Sequence, residues 1–302
     1  PSTGFTKAGY TFIGWNTSSN ATTALSSYTV PAYDSTLYAV YANLQYKVTF
    51  NKNGGSGYAP AITQDYNSSV VLPSTNFSKT GCTFIGWNTT STAVTALSSY
   101  NVPAHDSILY AIYIPNQYTV TFDANGGTGG TSGLMAYGSV LTAPAVSRTG
   151  YTFTGWSPSV PATVILGGAT YTAQWSINSY TITFDANGGT GGTSGLMTYG
   201  TALAAPAVSR AGYIFTGWSP AVPATVGAES AAYTALWMLL GNVNNDSVIN
   251  SLDALMALKA TSGKIALTDS QKSAADVNKD GKVNSLDALM ILRFTSGKII
   301  SF

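Results

Sequence analysis

The sequence predicts a multi-domain chain: tandem small, mostly-β units followed by a small α-helical domain built around two polar loops. Three observations carry that expectation. An eight-residue motif ending in a Gly-Trp pair and one polar residue returns four times between residues 9 and 219. Segments in which aromatic and β-branched residues alternate with polar ones flank it, the period-2 pattern of strands with one buried face. Two oxygen-rich stretches, 242–253 and 276–287, each run into a segment of helical period.

The repeated motif reads GYTFIGWN at 9–16, GCTFIGWN at 81–88, GYTFTGWS at 150–157 and GYIFTGWS at 212–219. Three copies are preceded by YKVTFNKNGG (46–55), YTVTFDANGG (118–127) and YTITFDANGG (180–189). Each unit closes on an aromatic segment: LYAVY, LYAIY, YTAQW or YTALW. Residues 118–164 and 180–226 are identical at 39 of 47 positions, so these two units share one fold. Tyr118, Val120 and Phe122 alternate with Thr119 and Thr121, as a half-buried strand requires. The Asn125-Gly126 pair that follows tolerates positive φ and predicts a tight turn, as do Asn53-Gly54 and Asn187-Gly188. No copy has a clear helical period, although 128–140 leaves room for a short helix.

The expected boundaries are a partial first repeat over 1–43, repeats over 44–114, 115–176 and 177–238, and a terminal domain over 239–302. The linkers ANLQ (42–45), IPNQ (114–117) and SINS (176–179) are short, which argues for a semi-stiff rod. Tyr46 and Tyr118 stand 72 residues apart, which puts the matching strand of the first unit about 26 residues upstream of Pro1. The chain therefore reads as the C-terminal part of something longer.

Composition narrows the function classes. Only 8% of the residues are charged, against 12% aromatic. Residues 1–238 carry Lys7, Lys47, Lys52, Lys79, Arg148 and Arg210 against Asp34, Asp65, Asp106, Asp123, Asp185 and Glu229, a net charge of zero. No basic stripe exists for nucleic acid or an anionic membrane. No apolar run approaches the ~20 residues of a membrane-spanning helix. Cys82 is the single cysteine and stands where other copies have Tyr10, Tyr151 and Tyr213, so it reads as a packed side chain. His105, the single histidine, lacks the partners of a catalytic or zinc constellation. Asp123 and Asp185 lie in turns and are not a facing acid pair. Trp15, Trp87, Trp156 and Trp218 suit either the small core of each unit or a platform for sugar rings.

The two polar loops carry the clearest chemistry. Calcium takes six to eight hard oxygen ligands, and a twelve-residue EF-hand loop supplies them from positions 1, 3, 5, 7, 9 and 12. DVNKDGKVNSLD fills every slot: Asp276, Asn278, Asp280, the Lys282 carbonyl, Asn284 and Asp287, with Gly281 at the turn. NVNNDSVINSLD repeats the pattern with Asn242, Asn244, Asp246, the Val248 carbonyl, Asn250 and Asp253. Here only two carboxylates remain, and Ser247 stands where the second loop has its glycine. Two calcium sites are thus expected, the second stronger. After each loop Leu252, Leu255, Met256 and Lys259, and likewise Leu286, Leu289, Met290 and Arg293, fall at helical spacing. Gly263 and Gly297 read as helix ends, and 268–275 as a short middle helix.

The repeat motifs resemble the Listeria–Bacteroides repeat family of bacterial surface proteins over roughly residues 1–238. That resemblance implies β-grasp-like units in tandem, often forming a stalk. Residues 241–298, with two half EF-hands, are similar to a type I dockerin. This implies calcium-dependent docking onto a cohesin domain of a scaffoldin or cell-surface anchor. The family's contact positions fall on Ser251, Leu252, Leu258 and Lys259 in one half and on Ser285, Leu286, Leu292 and Arg293 in the other. The alternative for these leucines is core packing between the helices, which leaves two readings open.

The function expected is therefore a secreted, extracellular or cell-surface bacterial protein without catalysis inside 1–302, plugged by its dockerin into a larger assembly. The alternatives are an adhesin whose repeats bind glycans, self-association of the weakly charged β units, and a C-terminal fragment of a larger polysaccharide-degrading enzyme. The WMLLGN segment joins the last repeat to the first loop without a spacer, so Met238 and Leu239 are expected to pack the modules together.

Overall fold

The computed structural model describes residues 4–302. The chain divides into two compact units. One is built from residues up to 123 with 131–144 and 158–171, the other from 124–130, 145–157 and 172–302.

In the first unit, β1 (Tyr10–Asn16) and β2 (Tyr38–Asn43) pair antiparallel as a two-stranded sheet. They are followed by β3 (Gln45–Asn51), β4 (Ile62–Asp65), β5 (Cys82–Asn88) and β6 (Ser107–Pro115). These form a mixed sheet in the order β4-β3-β6-β5, with β3 parallel to β6 and both edges antiparallel. The third repeat is divided between the units: β7 (Gln117–Asp123) pairs antiparallel with β8 (Thr131–Ala136) in the first, and in the second β9 (Tyr151–Ser157) pairs antiparallel with β10 (Ala169–Ile177) from Thr172 onward. Also in the second unit, β11 (Ser179–Asp185), β12 (Thr193–Thr198), β13 (Tyr213–Ser219) and β14 (Ala231–Leu239) form a sheet in the order β12-β11-β14-β13, the arrangement of the second repeat. The helix considered for 128–140 is replaced by β8. Thr131–Ala136 pairs residue for residue with β7, so its main chain is satisfied as a sheet edge.

Sequence pattern explains each core. Val48, Leu109 and Ala111 are inward-facing members of alternating strands and close round Trp87. In the fourth repeat Ile182, Phe184 and Tyr233 do the same, with Trp218 against them. The motif glycine before the tryptophan makes a bulge: register shifts between Phe84 and Gly86, whose φ is 134°. That kink turns Trp87 into the core, where it is fully buried and its Nε1–H donates to the Pro73 carbonyl at 2.6 Å. Trp15, Trp156 and Trp218 are half-buried, so the core role is complete only in the second repeat.

The Asn-Gly turns have two functions. Asn53 and Gly54 both take positive φ, as the tight turn demands. The Asn53 side-chain amide then reaches across the sheet to the Ala111 carbonyl at 2.9 Å, and Asn125 and Asn187 reach Ala173 and Ala235 likewise. Asn51, where other copies carry Asp, still accepts from the Asn53 amide at 2.8 Å, as Asp185 does from Asn187.

Linkers shrink to one residue each. Leu44, Asn116 and Asn178 donate their amides to the carbonyls of Gly9, Gly81 and Gly150. Their own carbonyls accept from Tyr66, Tyr137 and Tyr199 in the following repeat. Those tyrosine rings lie directly on the same glycines, where any Cβ would strike them. Successive repeats within each unit are therefore joined by main-chain bonds and by a ring seated on a glycine.

The terminal domain holds α1 (Ser251–Thr261), α2 (Asp269–Ala275) and α3 (Ser285–Thr295). Its core joins Leu240, Val243, Ala254, Ala257, Leu267, Ala275, Val277, Ala288 and Ile291. Gly263 and Gly297 follow α1 and α3 with φ of 69° each, as expected of residues just past a helix end. Met238 is buried at 8% exposure and Leu240 belongs to the helical core, while Leu239 is half-buried.

Candidate metal loops and docking face

Each polar loop curls around its own oxygens. Asp253, fully buried, accepts from the amides of Asn244 at 3.0 Å and Asn250 at 2.9 Å. Asp287, also fully buried, accepts from Asn278 at 3.4 Å and Asn284 at 2.9 Å. A carboxylate at helix position N3 thus ties the start, middle and end of its loop together. It also completes a capping box with Asn250 or Asn284 and sits where the helix dipole favours negative charge.

At the loop entrances the acceptors are Asn242 and Asp276. Asn242, only 2% exposed, accepts from the Asp246 amide at 3.2 Å. Asp276 accepts from Asp280 at 3.1 Å and Gly281 at 2.9 Å. Asn244 and Asn278 each hand a side-chain amide proton to the carboxylate two residues on, Asp246 or Asp280. The Val248 amide and the Asn244 side chain hold the Asp246 carboxyl below the usual carboxylate range.

The donor set is all oxygen: carboxylates, Asn carbonyls and main-chain carbonyls. Among the described residues no cluster of three or more His, Cys, Asp and Glu forms. A hard cation such as calcium fits such donors, whereas zinc and other softer metals favour nitrogen or sulfur. The loops differ at the turn. Gly281 takes φ 83° without strain, while Ser247 takes φ 72° with a Cβ in place, in the left-handed region that costs L-residues roughly 1–2 kcal/mol.

The helices settle the two readings of the leucines. The residues buried on α1 are Asp253, Ala254 and Ala257, and those on α3 are Asp287, Ala288 and Ile291. Leu252, Leu255 and Leu258 are 59%, 44% and 48% exposed, and Leu286, Leu289 and Leu292 are 49%, 43% and 45% exposed. Core packing of these leucines is thus excluded. The reason is the carboxylate: Asp253 and Asp287 must face their loops, which fixes the rotation of each helix and turns the alanines inward. Ser251, Lys259, Ser285 and Arg293 are exposed beside the leucines. Leu255 and Leu289 join this face as well, although their spacing alone had grouped them with Met256 and Met290. Their matched positions in two copies were the available signal.

This fold and site define a protein of tandem β repeats ending in a paired-loop helical module. The sequence matches the Listeria–Bacteroides repeat domain family over residues 1–40, 46–112, 118–163 and 180–231. It matches the type I dockerin domain over 240–294. The chain belongs to the Listeria–Bacteroides repeat family and carries a C-terminal type I dockerin domain.

Among relatives, a protein of Evansella cellulosilytica named as a Gly-rich membrane protein is 30% identical over 70% of this chain and 27% of its own length. A second from that organism, named as a membrane protein, is 32% identical over 70% of this chain and 34% of its own. Internalin H of Listeria monocytogenes is 38% identical over 33% of this chain and 18% of its own. The chain thus spans about a third or less of the relatives it matches. Among the described residues no helix is long and apolar enough to cross a membrane.

Proposed function

We propose that this chain is a non-catalytic, exported surface or stalk protein whose dockerin plugs it, in a calcium-dependent way, into a cohesin of a scaffoldin or cell-surface anchor. One observation carries the reading. Two helices bury Ala254 and Ala257, and Ala288 and Ile291, while presenting matched leucine triplets to solvent, each beside an oxygen-lined loop. Exposed apolar side chains grouped on one face mark a contact surface.

Two calcium ions are held in this reading. Asn242, Asn244, Asp246, Val248, Asn250 and Asp253 serve the first, and Asp276, Asn278, Asp280, Lys282, Asn284 and Asp287 the second. The second site binds more tightly, because it has one more carboxylate and an unstrained turn. Calcium holds the loop against the start of each helix and so fixes the leucine face that follows.

The cohesin contacts are Ser251, Leu252, Leu258 and Lys259, or their counterparts Ser285, Leu286, Leu292 and Arg293. Because the halves are near copies, either serves as the contact face with the module turned by 180°. The repeats set this plug at a distance from whatever else the chain carries. The test is capture by a panel of immobilised type I cohesin domains in calcium and in EGTA. Capture by at least one cohesin in calcium, lost in EGTA, supports the proposal. Binding indifferent to EGTA, or none across the panel, contradicts it.

A further inference from the structure

The two metal loops are entered differently. The second loop begins directly after α2: Asp276 donates its amide to the Lys272 carbonyl at 3.0 Å, so the helix itself delivers the first oxygen ligand. Nothing helical precedes the first loop. Its entrance is the end of the fourth repeat, where the Asn242 amide donates to the Leu239 carbonyl of β14 at 3.0 Å.

That strand end is clamped on both sides. The Leu240 amide donates to the Gly212 carbonyl at 2.9 Å, repeating the bond that joins one repeat to the next. The tyrosine of a following repeat is missing here, and Gly212 is exposed where Gly9, Gly81 and Gly150 are buried. In its stead the Gly241 amide donates to the Ala274 carbonyl of α2 at 2.8 Å. α2 packs on β13 and β14, and Ile214 of β13 packs against the helical core. The dockerin is thus seated on the fourth repeat, with the latter's last strand continuing into the first ligand.

We propose that the fourth repeat is the entering element of the first calcium loop, β14 and Ile214 positioning Asn242 as α2 positions Asp276. The inference rests on the two-site calcium reading above. Its physical content is a coupling: the loop poorer in carboxylates and strained at Ser247 draws its pre-shaping from a neighbouring domain. Loosening that neighbour weakens the first site and spares the second.

The test uses the full chain and two variants. One inserts a four-residue Gly-Ser segment between Leu239 and Leu240, and the other is Ile214→Ser. Calcium is titrated while the amides of Asn244 and Asn278 report the two loops separately by NMR. The expected result is affinity lower by about fivefold or more at the first loop, within the range of ordinary site-to-site coupling, and unchanged at the second. Equal affinities in parent and insertion variant overturn the proposal, as does an equal loss at both loops. If neither loop of the parent takes calcium, the calcium reading itself fails. Amide exchange in the calcium-free chain then judges the coupling alone. Faster exchange at Asn242 and Asn244 but not at Asp276 and Asn278 upholds it, and unchanged exchange at all four refutes it.

Discussion

The repeats and the dockerin spend their large side chains in opposite ways. In the second repeat Trp87, Leu109 and Val48 are fully buried, and aromatic rings pack edge-on around them, Phe50 at 4.9 Å and Phe77 at 4.9 Å from Trp87. In the dockerin the apolar residues that α1 and α3 bury are Ala254, Ala257, Ala288 and Ile291, and six leucines of those two helices stand outside. A small β unit without a disulfide leans on its large apolar groups to build a core of its own. In the proposed function the dockerin keeps these leucines for contact with its partner. The contrast separates scaffold from plug.

Trp87→Ala attacks the scaffold side and carries the largest effect. Removing a fully buried indole costs about 3–5 kcal/mol, enough to unfold the second repeat in a thermal melt while the dockerin still binds calcium. A dockerin that fails together with the repeat would erase the contrast.

Next comes the plug. Leu252→Asp with Leu286→Asp lowers cohesin affinity by about 100-fold, as loss of a hot spot does, with the melting temperature unchanged because both residues are exposed. Either substitution alone leaves affinity within about threefold, since the other half still serves. Surface plasmon resonance on the three variants decides it. A full loss from one single variant would remove the twofold interpretation.

The smallest effect sharpens the difference between the loops. Ser247→Gly relieves the left-handed strain and stabilises the calcium-loaded dockerin by about 1 kcal/mol. Differential scanning calorimetry reads this as a raised melting temperature, whereas no change would mean that Ser247 occupies its φ without strain.

Much of this was legible in the sequence. Four copies of one motif and three Asn-Gly turns were enough for the repeat fold, and two loops with oxygen at alternate positions for the proposed donor sets, because each depends on local chemistry. The leucine face was half legible: the dockerin resemblance put Leu252, Leu258, Leu286 and Leu292 on it, but spacing left core packing open. Helical spacing groups Leu252 with Leu255 and Met256, but it cannot tell inside from outside. What decides is a buried carboxylate at Asp253 facing backward into its loop, a tertiary constraint with no hydropathy signature. The joints were half visible. Tyr66, Tyr137 and Tyr199 recur at matching places, yet only packing reveals that each ring needs a bare glycine in the preceding repeat. The seating of the dockerin was anticipated through Met238 and Leu239. Leu240 and Ile214 proved to be the residues that enter or touch the helical core, β14 running to Leu239, two residues past the YTALW segment.

Calcium capture by the dockerin is the claim on which cohesin docking and the entering role of the fourth repeat both depend. Isothermal calorimetry of the full chain against calcium tests it most directly. Two binding events of unequal affinity, the tighter one lost in Asp287→Asn, together with a dockerin that melts higher in calcium than in EGTA, are the predicted result. A flat titration with identical melting in both buffers would contradict it.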